Sequence, residues 1–363
     1  MKKILIVGAG KIGSLIATLL ASQDDYDVHI SDIDFSQPDN LRLQKNEKIS
    51  CHTLDINNKE GVTAFFTEHK IDAVISCLPY FCNMRVVEIA DQFHCHYFDL
   101  TEDTEITEKI RALAQGKKQA FVPQCGLAPG IIGIIANSIM KSFDSLDTVK
   151  LRVGALPETP NNILKYALTW STDGLINEYG NLCHGIKHGE RVELQPLEGL
   201  ESISIDGLTY ECFNTSGGLG DLADTYSGKA NNLTYKSIRY PGHCDTIKML
   251  MNGLKLNQDR ETLKRILENA IPRTFQDVVI VYVSVVGKQN NVLIEECYLK
   301  KIYSDHIDGE RWGAIQITTA SSLAAIVSLV LSDPEKYHGF IQQEFFNLND
   351  ITNTTFGKIY EPK

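Results

Sequence analysis

The sequence predicts an α/β protein: a doubly wound parallel sheet followed by a second, α+β domain with a mixed or antiparallel sheet. Three observations predict it. The first third alternates apolar strands with amphipathic helices at regular intervals, the pattern of a parallel sheet covered on both faces. After about residue 150 that rhythm breaks, and short strands with turn signals take over. Finally, 363 residues exceed what one hydrophobic core usually spans, so two domains are expected.

The elements follow in order. "KILIVG" (3–8) is a continuous apolar run of buried-strand type, and "KIGSLIATLLAS" (11–22) carries Ile12, Leu15, Ile16, Leu19 and Leu20 at helical spacing. Further strands are predicted at 27–31, 48–54, 72–77, 96–100 and 120–124, with helices near 58–69, 82–93 and 105–115. After "CGLAPG" (125–130) an isoleucine-rich helix leads into the strand "TVKLRVGALP" (148–157). The later pattern contains a hairpin at 185–194 and a strand pair at 276–287 and 291–303 joined by "KQN" (288–290). The chain closes with the apolar helix "SSLAAIVSLVLSDPEK" (321–336), expected to return to the first domain. The expected domains are 1–128, with 318–363 packing back, and 129–317.

Charge and composition narrow the function classes. Against 46 acidic residues stand 35 basic ones, giving a formal charge of −11, and the basic residues are scattered rather than gathered in a stripe. Nucleic acid is not an expected partner. The longest uncharged run, Gln119 to Met140, is broken by Pro123, Gly126, Pro129 and Gly130, and reads as strand, loop and helix start rather than a membrane span. Lys2 and Lys3 pass directly into a strand without a signal-peptide pattern. The nine cysteines are widely spaced and lack a CxxC pair, so they read as reduced thiols, Cys125 among them as a packed one. A cytoplasmic protein is expected. His94, Cys95 and His96 alternate along a predicted strand, but no fourth ligand follows at suitable spacing, and no metal is expected.

Between the first strand and helix, "GAGKIG" sets Gly8, Gly10 and Gly13 in the GxGxxG spacing, with Lys11 and Ile12 in the same turn. Missing side chains there let a pyrophosphate approach backbone N–H groups at the positive end of a helix. The second strand ends at Asp32, nineteen residues after Gly13, where a carboxylate can accept hydrogen bonds from an adenosine ribose; Asp34 can share the role. A carboxylate also repels a 2′-phosphate, so NAD is favoured over NADP. Asp55 and Ile56, after the third strand, are expected on the adenine side. Cys77 and Leu78, in "SCLPY" (76–80), are expected where the chain passes the nicotinamide ribose. These are the features of a Rossmann domain.

With this fingerprint, "CGLAPGI", "TSGGLGDL" (215–222) and "YKSIRYPGH" (235–243) follow in order, and over roughly residues 1–330 the chain resembles the saccharopine dehydrogenase-like family, within it the lysine 6-dehydrogenase branch. The resemblance implies a substrate domain whose mixed sheet also makes a homodimer contact, and a C-terminal helix returning to the Rossmann domain. Saccharopine reductases carry an acidic residue in the loop matching "GLAPG"; Ala128 stands there in this chain, as in lysine 6-dehydrogenase-like members. The implied activity is NAD-dependent oxidation of a C–N bond in an amino acid or small amine. Alternatives are a dehydrogenase that forms or cleaves a secondary amine, such as saccharopine or a carboxyalkyl polyamine, and a non-catalytic dimeric NAD-binding protein.

That chemistry needs a cation for a substrate carboxylate and a base for an ammonium proton. If "YKSIRY" is a strand, Tyr235, Ser237 and Arg239 face one way and Lys236, Ile238 and Tyr240 the other. Arg239 then suits a bidentate grip on a carboxylate. Pro241 and Gly242 turn the chain toward His243, whose ordinary pKa suits proton transfer near neutrality. The helix expected after it puts Ile247, Leu250, Met251 and Leu254 on one face. Asp99, at the end of the fifth strand, either meets the substrate ammonium or caps the next helix with Thr101. Tyr80 and the "SGG" backbone at 216–218 are further candidates for substrate contact.

Overall fold

The computed structural model describes residues 1–36 and 43–362. The chain divides into two compact units, Met1–Ile131 with Thr319–Glu361, and Ile132–Thr318.

The first unit contains β1 (Lys2–Val7), α1 (Lys11–Ala21), β2 (Tyr26–Asp32), β3 (Ile49–Thr53), α2 (Lys59–His69), β4 (Ala73–Ser76), α3 (Asn83–Gln92), β5 (His96–Asp99), α4 (Thr104–Leu113) and β6 (Ala120–Val122). Its parallel sheet runs in the order Gly339–Phe340, β6, β5, β4, β1, β2, β3. The chain leaves β1 in one direction through β2 and β3, then returns to β4 on the other side. That reversal creates a crevice at the carboxyl ends of β1 and β4, where ligands of open parallel sheets bind. Ile4, Leu5 and Ile6 are buried because both sheet faces are covered. Side-chain caps start two of the helices: Asn58 Oδ1 accepts from Gly61 N–H in α2, and Asp103 Oδ1 from Ile106 N–H in α4.

The His94–Cys95–His96 stretch is not one strand. His94 turns in the left-handed region (φ 56), Cys95 is buried, and β5 begins only at His96, whose Nδ1 accepts from Ala120 N–H. Among the described residues no group of His, Cys, Asp and Glu is arranged to hold a metal.

The second unit contains α5 (Ile131–Met140), β7 (Ser145–Pro157), α6 (Thr172–Gly180), β8 (Cys183–Lys187), β9 (Glu190–Leu194), β10 (Glu201–Ile205), β11 (Leu208–Asn214), α7 (Leu222–Tyr226), β12 (Ala230–Arg239), α8 (His243–Lys248), α9 (Arg260–Ala270), β13 (Asp277–Gln289) and β14 (Val292–Tyr303). The sheet order is β10-β11-β12-β7-β13-β14, with β8 and β9 attached to β12. Only β12 and β7 are parallel, so the sheet is mixed. The long hairpin turns at Asn290 and Asn291 (φ 50 and 64), two left-handed residues of the kind a tight hairpin requires; the strands therefore run past the connection expected at 288–290.

Two further expectations change. The C-terminal helix runs Ala314–Ser332 and starts earlier than 321, because Asp277 accepts from Ala314 N–H at 2.6 Å and Ile315 N–H at 3.2 Å and so caps its first turn. By length and composition this helix can cross a membrane, yet 83% of its apolar window is buried, which is the state of a core helix. After α8 a π turn (Met249–Gly253) adds a residue to the winding. Ile247 and Met251 stay buried, but Leu254 is carried off the expected apolar face and is 60% exposed.

Candidate active site

In the first unit the candidate cofactor cradle is made of backbone. Gly8 ends β1 at φ 105, a conformation that side chains resist, and a Cβ on Gly13 would overlap the Gly8 carbonyl oxygen. Strand and helix thus meet with no room between them. Gly10 differs: a Cβ there would meet nothing within 4 Å, so the space beside it is open. This opening at the start of α1, beyond the carboxyl end of β1, fits a dinucleotide phosphate. Lys11 and Ile12 form the first turn of α1.

Asp32 closes the cradle on the second strand. Its Oδ2 accepts from Ala9 N–H at 2.7 Å, tying the glycine loop to β2, while Oδ1 accepts from Ile33 N–H at 2.7 Å. Asp34 is turned instead onto Ser36 through both carboxylate oxygens. Asp55 holds a local turn through Asn57 N–H, and the buried Ile56 offers its carbonyl to Arg85 Nε. The Cys77 carbonyl and the Leu78 side chain border Gly8. Burial, with Asp99 adding to it, pushes the Cys77 thiol up to about 12, so it is a packed neutral group. Tyr80 opens a short turn, 38% exposed, with its ring edge-on to Phe81.

Asp99 fills neither expected role. It is fully buried; Oδ1 accepts from Thr101 N–H (2.9 Å) and Gln124 N–H (3.0 Å), and Oδ2 from the Tyr97 hydroxyl (2.8 Å) and Asn83 Nδ2 (3.3 Å). Four donors leave the carboxylate no room for an ammonium, and the cap of α4 is Asp103. Burial raises Asp99 to about 6 although those donors pull it down. It anchors the ends of β5 and β6.

In the second unit, β12 delivers alternate side chains to two different environments. On one face, Ile238 joins an apolar cluster with Tyr210 and Tyr240, and Lys236 Nζ bonds Glu201 at 2.8 Å, which also takes Arg152 Nε at 2.6 Å. On the other, Ser237 shares a hydrogen bond with Thr215 at 2.8 Å, and Arg239 enters a ring of buried polar groups. Arg239 Nε donates to the Tyr179 hydroxyl at 2.9 Å, one terminal nitrogen donates to the Ile238 carbonyl at 2.9 Å, and the other meets Glu178 Oε2 at 3.4 Å. Its guanidinium lies over Tyr166, 5.0 Å from the ring centre, and 5.8 Å from that of Tyr179.

His243 completes the chain of bonds. Its Nδ1 is 2.6 Å from the Leu164 carbonyl and so carries the proton; Nε2 then accepts from the Tyr179 hydroxyl at 2.9 Å. The direction is fixed from end to end: Arg239 donates to Tyr179, Tyr179 to His243, His243 to Leu164. Burial first, then Arg239, lowers His243 to about 3. This corrects the expectation of a base titrating near neutrality: the ring is neutral, 1% exposed, and has both nitrogens engaged. His243 is a positioning residue for Tyr179. The turn that carries it is held by Glu211, whose two oxygens accept from Gly242 N–H at 2.8 Å and Cys244 N–H at 2.6 Å.

Glu178, Tyr179, Tyr166 and Glu211 escape sequence reasoning. The first two lie on α6, some sixty residues before Arg239, in "NEYG" (177–180), which carries no motif. The one signal for them is a charge set among core positions of the helix: Leu175, Ile176 and Tyr179 are core residues, and Glu178 interrupts them. The "SGG" loop comes to the same place, since Ser216 N–H bonds the Glu178 carbonyl and Ser216 Oγ the Asn177 carbonyl, both at 2.9 Å.

Comparison with known proteins finds a family match for each part of the chain. Residues 4–122 match the family described as saccharopine dehydrogenase NADP binding domain, and residues 126–361 the saccharopine dehydrogenase C-terminal domain. Among solved structures, the chain is similar to the apo saccharopine dehydrogenase (L-Glu forming) of Saccharomyces cerevisiae, with a TM-score of 0.79 at 17% identity over 97% of this chain and 95% of that one. It is also similar to an engineered D-amino acid dehydrogenase bound to NADP+, with a TM-score of 0.51 at 11% identity over 99% of this chain and 98% of that one. At such identities these likenesses establish the fold; the two family matches, which between them take in nearly the whole chain, establish kinship. The protein belongs to the saccharopine dehydrogenase family of NAD(P)-dependent amino-acid dehydrogenases.

Proposed function

We propose that the protein is an NAD-dependent dehydrogenase that oxidatively deaminates an amino acid in the manner of a lysine 6-dehydrogenase. The observation that carries this reading is Arg239: a buried guanidinium, faced by Tyr166 and Tyr179, whose fork suits a substrate carboxylate. Three of its five N–H groups are used within the protein, which fixes its plane before a ligand arrives. A nicotinamide dinucleotide, when bound, supplies the hydride acceptor. Loss of hydride from the carbon bearing a neutral amine gives an iminium ion, and water converts it into a carbonyl compound and ammonium.

Asp32 supports NAD as the cofactor, although the family description names NADP. Oδ2 accepts one backbone N–H and Oδ1 accepts those of Ile33 and, at 3.4 Å, Asp34; the Oδ2 lone pair that remains suits a ribose diol and opposes a phosphate. Ala128 in the "CGLAPG" loop supports a primary amine over saccharopine. A homodimer through the second unit is part of the same reading, supported by the edge strand β14 with Val292, Leu293, Leu299 and Tyr303 exposed. Following NADH absorbance with a panel of amino acids and diamines tests the reaction. NADH formed from lysine or a near relative is expected. NADH consumption that requires a 2-oxoacid together with an amine, in the reductive direction, would assign the secondary-amine reaction instead, and no turnover with any amine would leave only cofactor binding.

A further inference from the structure

Three histidines from three elements of the first unit meet at one side of its sheet. His29 on β2, His52 on β3 and His69 at the last position of α2 have ring centres 5.1, 4.9 and 5.0 Å apart, and the buried Phe65 ring packs against all three. His29 Nδ1 and His52 Nε2 are 2.9 Å apart and share a hydrogen bond. One ring of such a pair must donate and the other accept, so at least one of them is neutral. A proton on both sets N–H against N–H and breaks the bond, and a charge on His69 adds to the repulsion.

The charged groups that face the cluster are few. Asp27 Oδ1 lies 3.5 Å from His29 Nε2 and favours a charged ring, but Asp27 also meets Lys3 of β1 at 3.8 Å, and Lys3 opposes that charge. Glu68 of α2 favours a charge on His52, which His29 and His69 oppose. Burial outweighs both carboxylates, lowering His29 below the usual histidine range and His52 to about 4. The rings are therefore neutral at pH 7.

β3 is the last strand on its side of the sheet and pairs with β2, with His52 opposite Ser31 and Thr53 opposite Asp32. Just beyond it, Leu54 N–H donates to the Asp32 carbonyl at 3.0 Å, while the Asp32 side chain holds Ala9 of the glycine loop. An edge strand detaches more easily than a central one, because it gives up only one row of bonds.

We propose that the His29–His52–His69 cluster is an acid-sensitive clasp on the dinucleotide cradle: proton uptake by these rings releases β3 from β2, and with it one hold on Asp32. The clasp is a property of the three rings; its effect on the cofactor rests on the reading of Asp32 as the ribose contact. In the opened strand a histidine takes up its proton near 6.5, whereas folded His52 refuses one until about 4, so opening becomes easier as pH falls from 6.5 toward 4. For His52 alone this amounts to about a twentyfold rise in the opening equilibrium between pH 7 and pH 5.

Native-state amide hydrogen exchange at pH 7 and pH 5, corrected for the intrinsic exchange rate, measures that opening. The amides of 49–53 are expected to open at least about twentyfold more readily at pH 5, while α4, which carries no histidine, changes little. His52→Gln should lower the ratio for β3 at least about fivefold. Equal opening of β3 at both pH values overturns the proposal and needs no variant. So does a rise that α4 shares in full, which would be unfolding of the whole unit, and so does a His52→Gln protein with the native ratio. With NAD at a hundred times its Kd, opening of β3 at pH 5 should fall about a hundredfold; an acid-opened strand that NAD leaves unprotected would sever the clasp from the cradle. Exchange without dinucleotide tests the cluster alone, and NAD and NADP affinities test Asp32, so an inert cluster and a misplaced Asp32 give different results.

Discussion

The glycine cradle of the first unit and the Arg239 network of the second place their polar groups by opposite means. In the first unit these groups belong to the backbone, and the decisive feature is what is missing: Gly13 has no Cβ to strike Gly8, and open space lies beside Gly10. In the second unit they belong to side chains from α6, β12 and α8, each oriented by the next. A backbone site is written in a few consecutive letters. A side-chain site is distributed over distant ones, and any single member can undo it.

The largest effect that would sharpen this contrast is expected at Arg239. Arg239→Met removes the countercharge of a buried carboxylate and the donor to Tyr179, and should cost about 3 kcal/mol of stability. Chemical denaturation of the holoprotein measures it; a loss below about 1 kcal/mol would mean that the network relaxes and is not interdependent. Next comes Gly13→Ala, where the new methyl must displace the Gly8 carbonyl, at about 1–3 kcal/mol. Gly10→Ala, by contrast, should leave the melting temperature unchanged and weaken dinucleotide binding alone. Equal thermal effects of the two substitutions would break the account of the cradle.

A smaller effect concerns pH. Glu178 is raised to about 7 and His243 lowered to about 3, so of these two the glutamate is the one that titrates near neutrality. Unfolding free energy measured against pH should therefore show a limb that ends near 7, and that limb should vanish in Glu178→Gln but persist in His243→Asn. The sign for stability is opposite for the two groups. Glu178 keeps its proton in the folded protein above the unfolded pKa of about 4.5, so ionisation weakens the fold as pH rises from there toward 7. His243 stabilises the fold above about 6.5, and that contribution is lost as pH falls toward 3. The smallest expected effect is at Asp32: Asp32→Ser should narrow the preference for NAD over NADP by roughly tenfold, a single charge's influence at a partly exposed site. Equal native affinities for the two dinucleotides would remove Asp32 from its assigned role.

What is legible in the sequence follows the same division. The order of strands and helices in the first unit, the glycine turn and Asp32 can all be read there, because local periodicity and consecutive residues specify them. Arg239 and His243 stand out as a pair, because Pro241 and Gly242 mark a turn between them. Their partners do not, since the bonding of Tyr179 to both depends on packing α6 beside β12. Asp99 misleads for a related reason: its position at a strand end suggests exposure to ligand, whereas Tyr97, Asn83, Thr101 and Gln124 surround it. The pKa of His243 is equally out of reach, because a histidine's usual value holds only while one nitrogen still meets water.

Whether the first unit binds the dinucleotide while the second recognises the substrate carboxylate through Arg239 is tested most directly by measuring both affinities in Arg239→Lys, since an ammonium keeps the charge but cannot reproduce the planar fork. NAD affinity is predicted to remain within about twofold of the native protein, while substrate affinity falls by about 2–3 kcal/mol, the worth of a charge-assisted hydrogen bond at a protected site. Native substrate affinity in the variant, or a comparable weakening of NAD binding, would contradict the account.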